Sequence, residues 1–106
     1  MTITYKVLGQ VNPVANTLTN AYIAPSQAVV STISVCNTGT SASYRIAVRV
    51  AGAAIDPKHY IVYDTIIDGS DSAYLTLGLT LGSTDVVGVY ASTSTLSFNI
   101  FGSEIS

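Results

Sequence analysis

Four groups of side chains in this chain have the types that do chemistry. His59 is the single histidine, and an imidazole serves as a general base or a metal ligand. It follows Asp56-Pro57-Lys58 at the start of a β-rich run. No second ligand stands near it, and one imidazole makes no metal site. The reading is a solvated or hydrogen-bonded residue at a strand end. Cys36 is the single cysteine. A thiolate there would be a nucleophile, but the residue lies in an apolar run without a nearby histidine, where a free cysteine packs as a small hydrophobe. Asp64, Asp68 and Asp71 form the one carboxylate cluster, in DTIIDGSD. Calcium takes a shell of oxygen ligands. The spacing departs from the EF-hand loop, and Asp68 and Asp71 beside Gly69 are better explained as turn residues. A glycosidase needs two carboxylates across a sugar cleft, commonly with aromatic walls, and this chain has no Trp and two Phe. No serine lies in a Gly-x-Ser-x-Gly elbow. The expectation is a protein that is not an enzyme, with no catalytic residue, no metal and no cofactor.

The fourth group is Arg45 and Arg49. Four residues apart on one strand face, they lie about 13 Å from each other. They read either as a solvated face or as a fork for a carboxylate on a neighbouring subunit, for which arginine is well suited. Seven tyrosines supply most of the aromatic content. Tyrosine offers a large contact area with a polar tip, although strand propensity accounts for it equally. Tyr44, Arg45 and Arg49 are the candidate contact residues.

The elements that must position these groups are strands. Ile3–Leu8 alternates, with Ile3, Tyr5 and Val7 on one face, and Gly9 and Asn12-Pro13 break the run. Thr17–Ala24 is a weaker strand, ended by Pro25. Val29–Cys36 is β-branched on both faces, with Ile33 and Val35 opposed to Val30 and Cys36, as in a central strand. Asn37-Thr38-Gly39-Thr40 supplies turn chemistry and Tyr44–Val50 alternates again, so Val29–Gly52 reads as a hairpin. His59–Ile67 is β-rich. Ala73–Leu81 is the clearest alternation, with Leu75, Leu77, Leu79 and Leu81 on one face. Val87–Tyr90 and Leu96–Phe101 complete the series, which Gly102 ends. About eight short strands at regular spacing, without a helical period, give an all-β antiparallel sandwich or barrel.

At 106 residues the chain is a single domain, residues 1–106. Its apolar fraction of 48% is ordinary, while its charged fraction of 9% falls far below the roughly 25% of soluble domains. No charged residue occurs between Val7 and Tyr44. Free β-proteins guard their strand edges with charge or proline. Either hydroxyl groups coat this exterior or other subunits cover it, and the second is the expectation. Four basic residues and a net charge of −2 provide no basic stripe for nucleic acid and nothing for an anionic membrane. One cysteine excludes an intramolecular disulfide framework. MTITYKVLGQ has no basic region followed by an apolar run, and Val86–Ser103 is too often interrupted to span a bilayer. A soluble protein made in the cytoplasm is expected.

Over KVLGQVNP at Lys6–Pro13, VVSTISVCNTGTSASYRIAVR at Val29–Arg49, AAIDPKHYIVYD at Ala53–Asp64, TDVVGVYAS at Thr84–Ser92 and SFNIFGSEI at Ser97–Ile105, the chain resembles small β-rich structural proteins of tailed bacteriophages, cyanobacterial ones included. The resemblance is a pattern along nearly the whole chain and carries no catalytic signature. It implies a sandwich or jelly-roll-like subunit that assembles symmetrically on the virion after synthesis in the host cytoplasm. The implied role is a capsid cement or decoration protein, acting as a homo-oligomer, trimer or dimer, that clamps the major capsid protein. The alternative is a tail, baseplate or fibre component in contact with other virion proteins or host-surface glycans.

Overall fold

Runs of alternating or β-branched residues bury one side chain in two along an extended backbone, and this pattern sets the architecture. In the computed structural model, which describes residues 1–106, all eight expected runs are strands: β1 (Ile3–Val11), β2 (Thr19–Ile23), β3 (Gln27–Asn37), β4 (Ala42–Arg49), β5 (Tyr60–Ile67), β6 (Ser72–Leu81), β7 (Val86–Ala91) and β8 (Leu96–Ile105). They form two four-stranded sheets with orders β1-β8-β3-β6 and β2-β7-β4-β5. Every pairing is antiparallel. The protein is an all-β sandwich, and this order of eight strands in two sheets is that of a jelly roll.

The stretch Val29–Gly52 is not a hairpin. β3 and β4 lie in different sheets, β3 between β8 and β6, and β4 between β7 and β5. Both edges of each strand are occupied by distant partners, so the polar turn between them is a corner from one sheet to the other. Asn37 holds that corner. Its side chain is buried. Its amide donates to the Thr40 carbonyl at 2.6 Å and the Ile67 carbonyl at 3.3 Å, and its Oδ1 accepts from the Gly39 N–H and the Thr95 hydroxyl, each at 2.9 Å. A buried amide with its donors and acceptors met ties the start of β4, the end of β5 and the β7–β8 turn together.

Two bulges revise which residues face inward. Ser31 of β3 has no partner of its own on β8, and Leu8 of β1 is likewise extra. Each extra residue reverses the alternation beyond it. Val30 therefore points inward together with Ile33 and Val35, all fully buried, while Cys36 faces outward and is half-buried. The two-sided apolarity of β3 comes from this bulge. Gly9 does not break β1: the strand continues through it, and the residue is glycine because a Cβ there would strike the Ala21 carbonyl of β2. Gly102 does not end β8 either, and a Cβ there would strike the Val29 carbonyl. At both positions glycine permits close approach of two backbones.

The core is a single cluster of 17 buried residues between the sheets. Phe98 and Tyr44 meet edge to face across it, ring centroids 6.1 Å apart. β1 packs on β2 along one flank. At one end of the interior, Glu104 of β8 accepts the Tyr22 hydroxyl of β2 at 2.6 Å and pairs with Lys6 of β1 at 2.8 Å.

Candidate interaction surface

The outer face of the β1-β8-β3-β6 sheet follows from register and pleat. β1 contributes Ile3, Tyr5 and Val7, opposite Ile105, Ser103 and Phe101 of β8. β3 contributes Val29, Thr32, Ser34 and Cys36, and β6 contributes Ser72, Tyr74, Thr76 and Thr80. No lysine, arginine, aspartate or glutamate lies on this face. The two charged residues of its strands, Lys6 and Glu104, turn to the opposite side, where Glu104 reaches Tyr22. Tyr5 is 81% exposed, Tyr74 73%, and Ile3, Val7 and Phe101 stand out beside them. Five exposed large apolar side chains on one uncharged face make it a candidate interaction surface; six others, Ile23, Val50, Ile55, Ile61, Tyr63 and Ile66, lie on β2, β5 and the β4–β5 connection.

The outer face of the β2-β7-β4-β5 sheet is built differently. It carries Arg45 and Arg49, as the spacing predicts. Arg45 Nε and Nη2 donate to Asp64 Oδ1 and Oδ2 at 2.6 and 3.2 Å. Its guanidinium carbon lies 4.3 Å from the Tyr63 ring centroid and 4.2 Å from that of Tyr90. The fork to Asp64 is the main cause that holds the Arg45 pKa above its ordinary value, against the cost of desolvation. Asp64 is placed for this by a bulge: Tyr63 and Asp64 together oppose Arg45, and Asp64 adopts a φ of 51°, which aspartate tolerates better than most residues. Arg49 donates to the Ala53 carbonyl at 3.2 Å and to Asn20 Oδ1 at 2.5 Å, while its Nε is buried without a partner.

Part of this second face is covered by the chain itself. The connection from β4 to β5 folds back over it through two 3-10 turns, Val50–Gly52 and Pro57–His59. Asp85 fixes the first by accepting the Ala51 N–H at 2.9 Å, and the Gly82 N–H at 2.9 Å secures the carboxylate. Asp56 and His59 cap the second reciprocally, the Asp56 N–H donating to His59 Nδ1 at 2.9 Å and Asp56 Oδ1 accepting the Lys58 N–H at 3.2 Å. Ala47 and Val86 are thereby buried although they lie on an outer face.

The sequence candidates sort accordingly. Tyr44 is 2% exposed and belongs to the core, so it is withdrawn as a contact residue: β4 faces Phe98 with that side of its pleat, and burial pushes the Tyr44 hydroxyl pKa up. Arg45 has its carboxylate within its own chain, so no vacant fork is offered to a neighbour. Arg49 is spent on Asn20 and the loop. His59 is a buried capping residue at the strand end, as its position suggests. Asp64, Asp68 and Asp71 do not converge. Asp64 binds Arg45 and Asp71 accepts the Ser72 N–H at 2.8 Å, and no group of three or more His, Cys, Asp or Glu side chains comes together. No helix is long and apolar enough to cross a membrane.

The sequence reading missed the uncharged sheet face. Its signal is the shared parity of Ile3, Tyr5 and Val7, which does not give the side they face, because alternation does not tell inside from outside. A smaller apolar feature lies beside the second face: Pro57, Tyr60 and Tyr63 line a cavity of 380 Å³, the two rings perpendicular with centroids 4.9 Å apart. No protein-family model matches the chain, and no curated protein is detectably similar to it.

Proposed function

We propose that this chain is a non-enzymatic structural subunit of a virion, a capsid cement or decoration protein that stabilises the shell. In this reading it self-assembles and lays its uncharged sheet face on the major capsid protein. The observation that carries it is that face: a four-stranded surface without charge, with Ile3, Tyr5, Val7 and Phe101 exposed. Burial of apolar area supplies the affinity, at about 25 cal/mol per Å² before ordering costs are deducted. The phage setting rests on the resemblance over Lys6–Pro13, Val29–Arg49 and the later segments, and on jelly rolls being a common solution for shell subunits.

A second reading, a tail, baseplate or fibre component that touches host glycans, is favoured by one feature. The perpendicular Tyr60 and Tyr63 rings beside Pro57 form an apolar corner on which a sugar ring can stack. Localisation on purified particles separates the two. Copies spread over the whole shell support the cement role, and copies confined to one vertex support the tail role. Particles that lack the protein altogether overturn both.

A further inference from the structure

The two sheets have four edge strands: β1 and β6 in one, β2 and β5 in the other. An edge presents a row of unpaired N–H and C=O groups, and folded proteins guard it with shortness, bulges, charge or cover. β2 is five residues long and interrupted at Ala21. β5 has two register shifts and carries Asp64. β1 carries Lys6, is bulged at Leu8 and packs against β2. β6 differs. It is ten residues long, SAYLTLGLTL, without a charged residue or a proline. Its one irregularity is at Leu77–Gly78, opposite Ser31, so the half from Ser72 to Thr76 pairs regularly with β3.

The core is also open behind this edge. Leu75, Leu77 and Leu79 of β6 point inward and remain only half-buried, whereas Val30, Ile33 and Val35 of the adjoining β3 are fully buried. Tyr74 projects from the outer face of the same strand, 73% exposed. Unpaired backbone, half-covered leucines and an exposed aromatic ring coincide on one strand.

We propose that β6 pairs with β6 of a second copy of this chain, antiparallel about a two-fold axis at Tyr74, so that two four-stranded sheets become one of eight strands. The inference rests on the self-assembly part of the function proposed above. An identical strand is the fitting occupant for three reasons. Antiparallel pairing about a two-fold axis lets each copy give and receive the same N–H···O=C bonds. A charge-free strand meets its own copy without like-charge repulsion, which a strand bearing Lys or Asp would not. The second copy also extends the apolar rim over the half-covered leucines. A two-fold contact closes on itself, so the assembly stops at a dimer and does not grow into a fibre. It places two uncharged faces side by side in one continuous surface.

The test uses the double variants S72K/T76K and S72E/T76E. Both positions are exposed, so the subunit keeps its fold, which thermal unfolding checks. Across the two-fold axis Ser72 of one copy faces Thr76 of the other, and each variant sets like charges against like. Sedimentation velocity at micromolar concentration is expected to show a wild-type dimer, at least tenfold weaker association for each variant alone, and restored association in an equimolar mixture of the two. A wild-type dimer with both variants associating as tightly overturns the β6 pairing and leaves self-assembly standing. A wild-type monomer overturns both. If either variant fails to fold, Tyr74→Lys alone, at a 73% exposed position, gives the same readout of weakened or unchanged association.

Discussion

The two outer faces of this sandwich handle charge in opposite ways. The β2-β7-β4-β5 face is stapled by its own chain: Arg45 lies between Tyr63 and Tyr90 with Asp64 in its fork, Arg49 holds Asn20 and the Ala53 carbonyl, and the β4–β5 connection covers Ala47 and Val86. The β1-β8-β3-β6 face has no cover and no charge. Six of the eleven Lys, Arg, Asp, Glu and His side chains, Arg45, Arg49, Asp56, His59, Asp64 and Asp85, serve the β2-β7-β4-β5 face or its loops, and on the other sheet Glu104 turns toward Tyr22 while pairing with a half-exposed Lys6. The polar investment of the protein is thus internal on one side and absent on the other. In the function proposed above, the face that is neither satisfied by its own chain nor charged for solubility is the one that a partner completes.

This contrast can be broken at its joint. Asn37→Ala removes the amide that ties the two sheets at the β3–β4 corner and leaves the Gly39 N–H, the Thr95 hydroxyl and the Thr40 and Ile67 carbonyls short of partners. It is expected to cost about 3 kcal/mol, since each unsatisfied buried group costs about 1–3 kcal/mol. Chemical denaturation of the isolated subunit measures this, and a loss below about 0.5 kcal/mol, within the ordinary range for surface changes, shows that the corner does not depend on the amide.

On the stapled face, Arg45→Ala is expected to cost about 1–2 kcal/mol through the lost fork and ring stacking. Arg45→Lys recovers only part, because an ammonium neither forks to Asp64 nor stacks as a plane. An Arg45→Ala variant as stable as wild type but unable to associate would return Arg45 to the role of a contact residue between subunits.

The Lys6–Glu104–Tyr22 cluster gives a smaller effect with a defined sign. The Lys6 bond, then the Tyr22 hydroxyl, hold Glu104 below the usual glutamate range. A depressed folded-state pKa contributes stability above the unfolded value of about 4.3, and that contribution is lost as pH falls through the lower folded value. Burial first, and Glu104 second, hold the Tyr22 pKa above its ordinary value. That contribution is full below about 10 and is lost as pH rises beyond it. Glu104→Gln is expected to flatten the acid limb of the urea-midpoint profile; an unchanged acid limb in that variant removes Glu104 as its source.

The smallest effect on folding is expected on the bare face. Tyr5→Ser, at an 81% exposed position, should change subunit stability by no more than about 0.5 kcal/mol, as for exposed sites elsewhere, while weakening attachment to particles measured by co-sedimentation. Equal attachment of wild type and variant would show that this face is not the one used.

Much of the fold is legible from the chain. Alternation at Leu75, Leu77, Leu79 and Leu81 fixes a strand with those leucines on one face, and Asp68-Gly69-Ser70-Asp71 fixes a turn. The candidate surface was less legible. Tyr44 and Arg45 are neighbours on one strand, yet one is core and the other is stapled to Asp64, and nothing local says which side of β4 meets Phe98. The bulges at Leu8 and Ser31 leave no clear mark in composition, and the one at Ser31 decides that Val30 joins the core and Cys36 does not.

By itself the sequence determined eight strands, their turns and a scarcity of charge, because periodicity and turn chemistry act over a few residues. Only the tertiary structure decided that β3 pairs with β8 and β6 and not with β4, since strand partners 36 to 78 residues apart are chosen by shared burial and not by local propensity. It also decided where the few charges went. That placement, leaving one sheet face and the β6 edge without any, is what turns an uncharged composition into a particular surface.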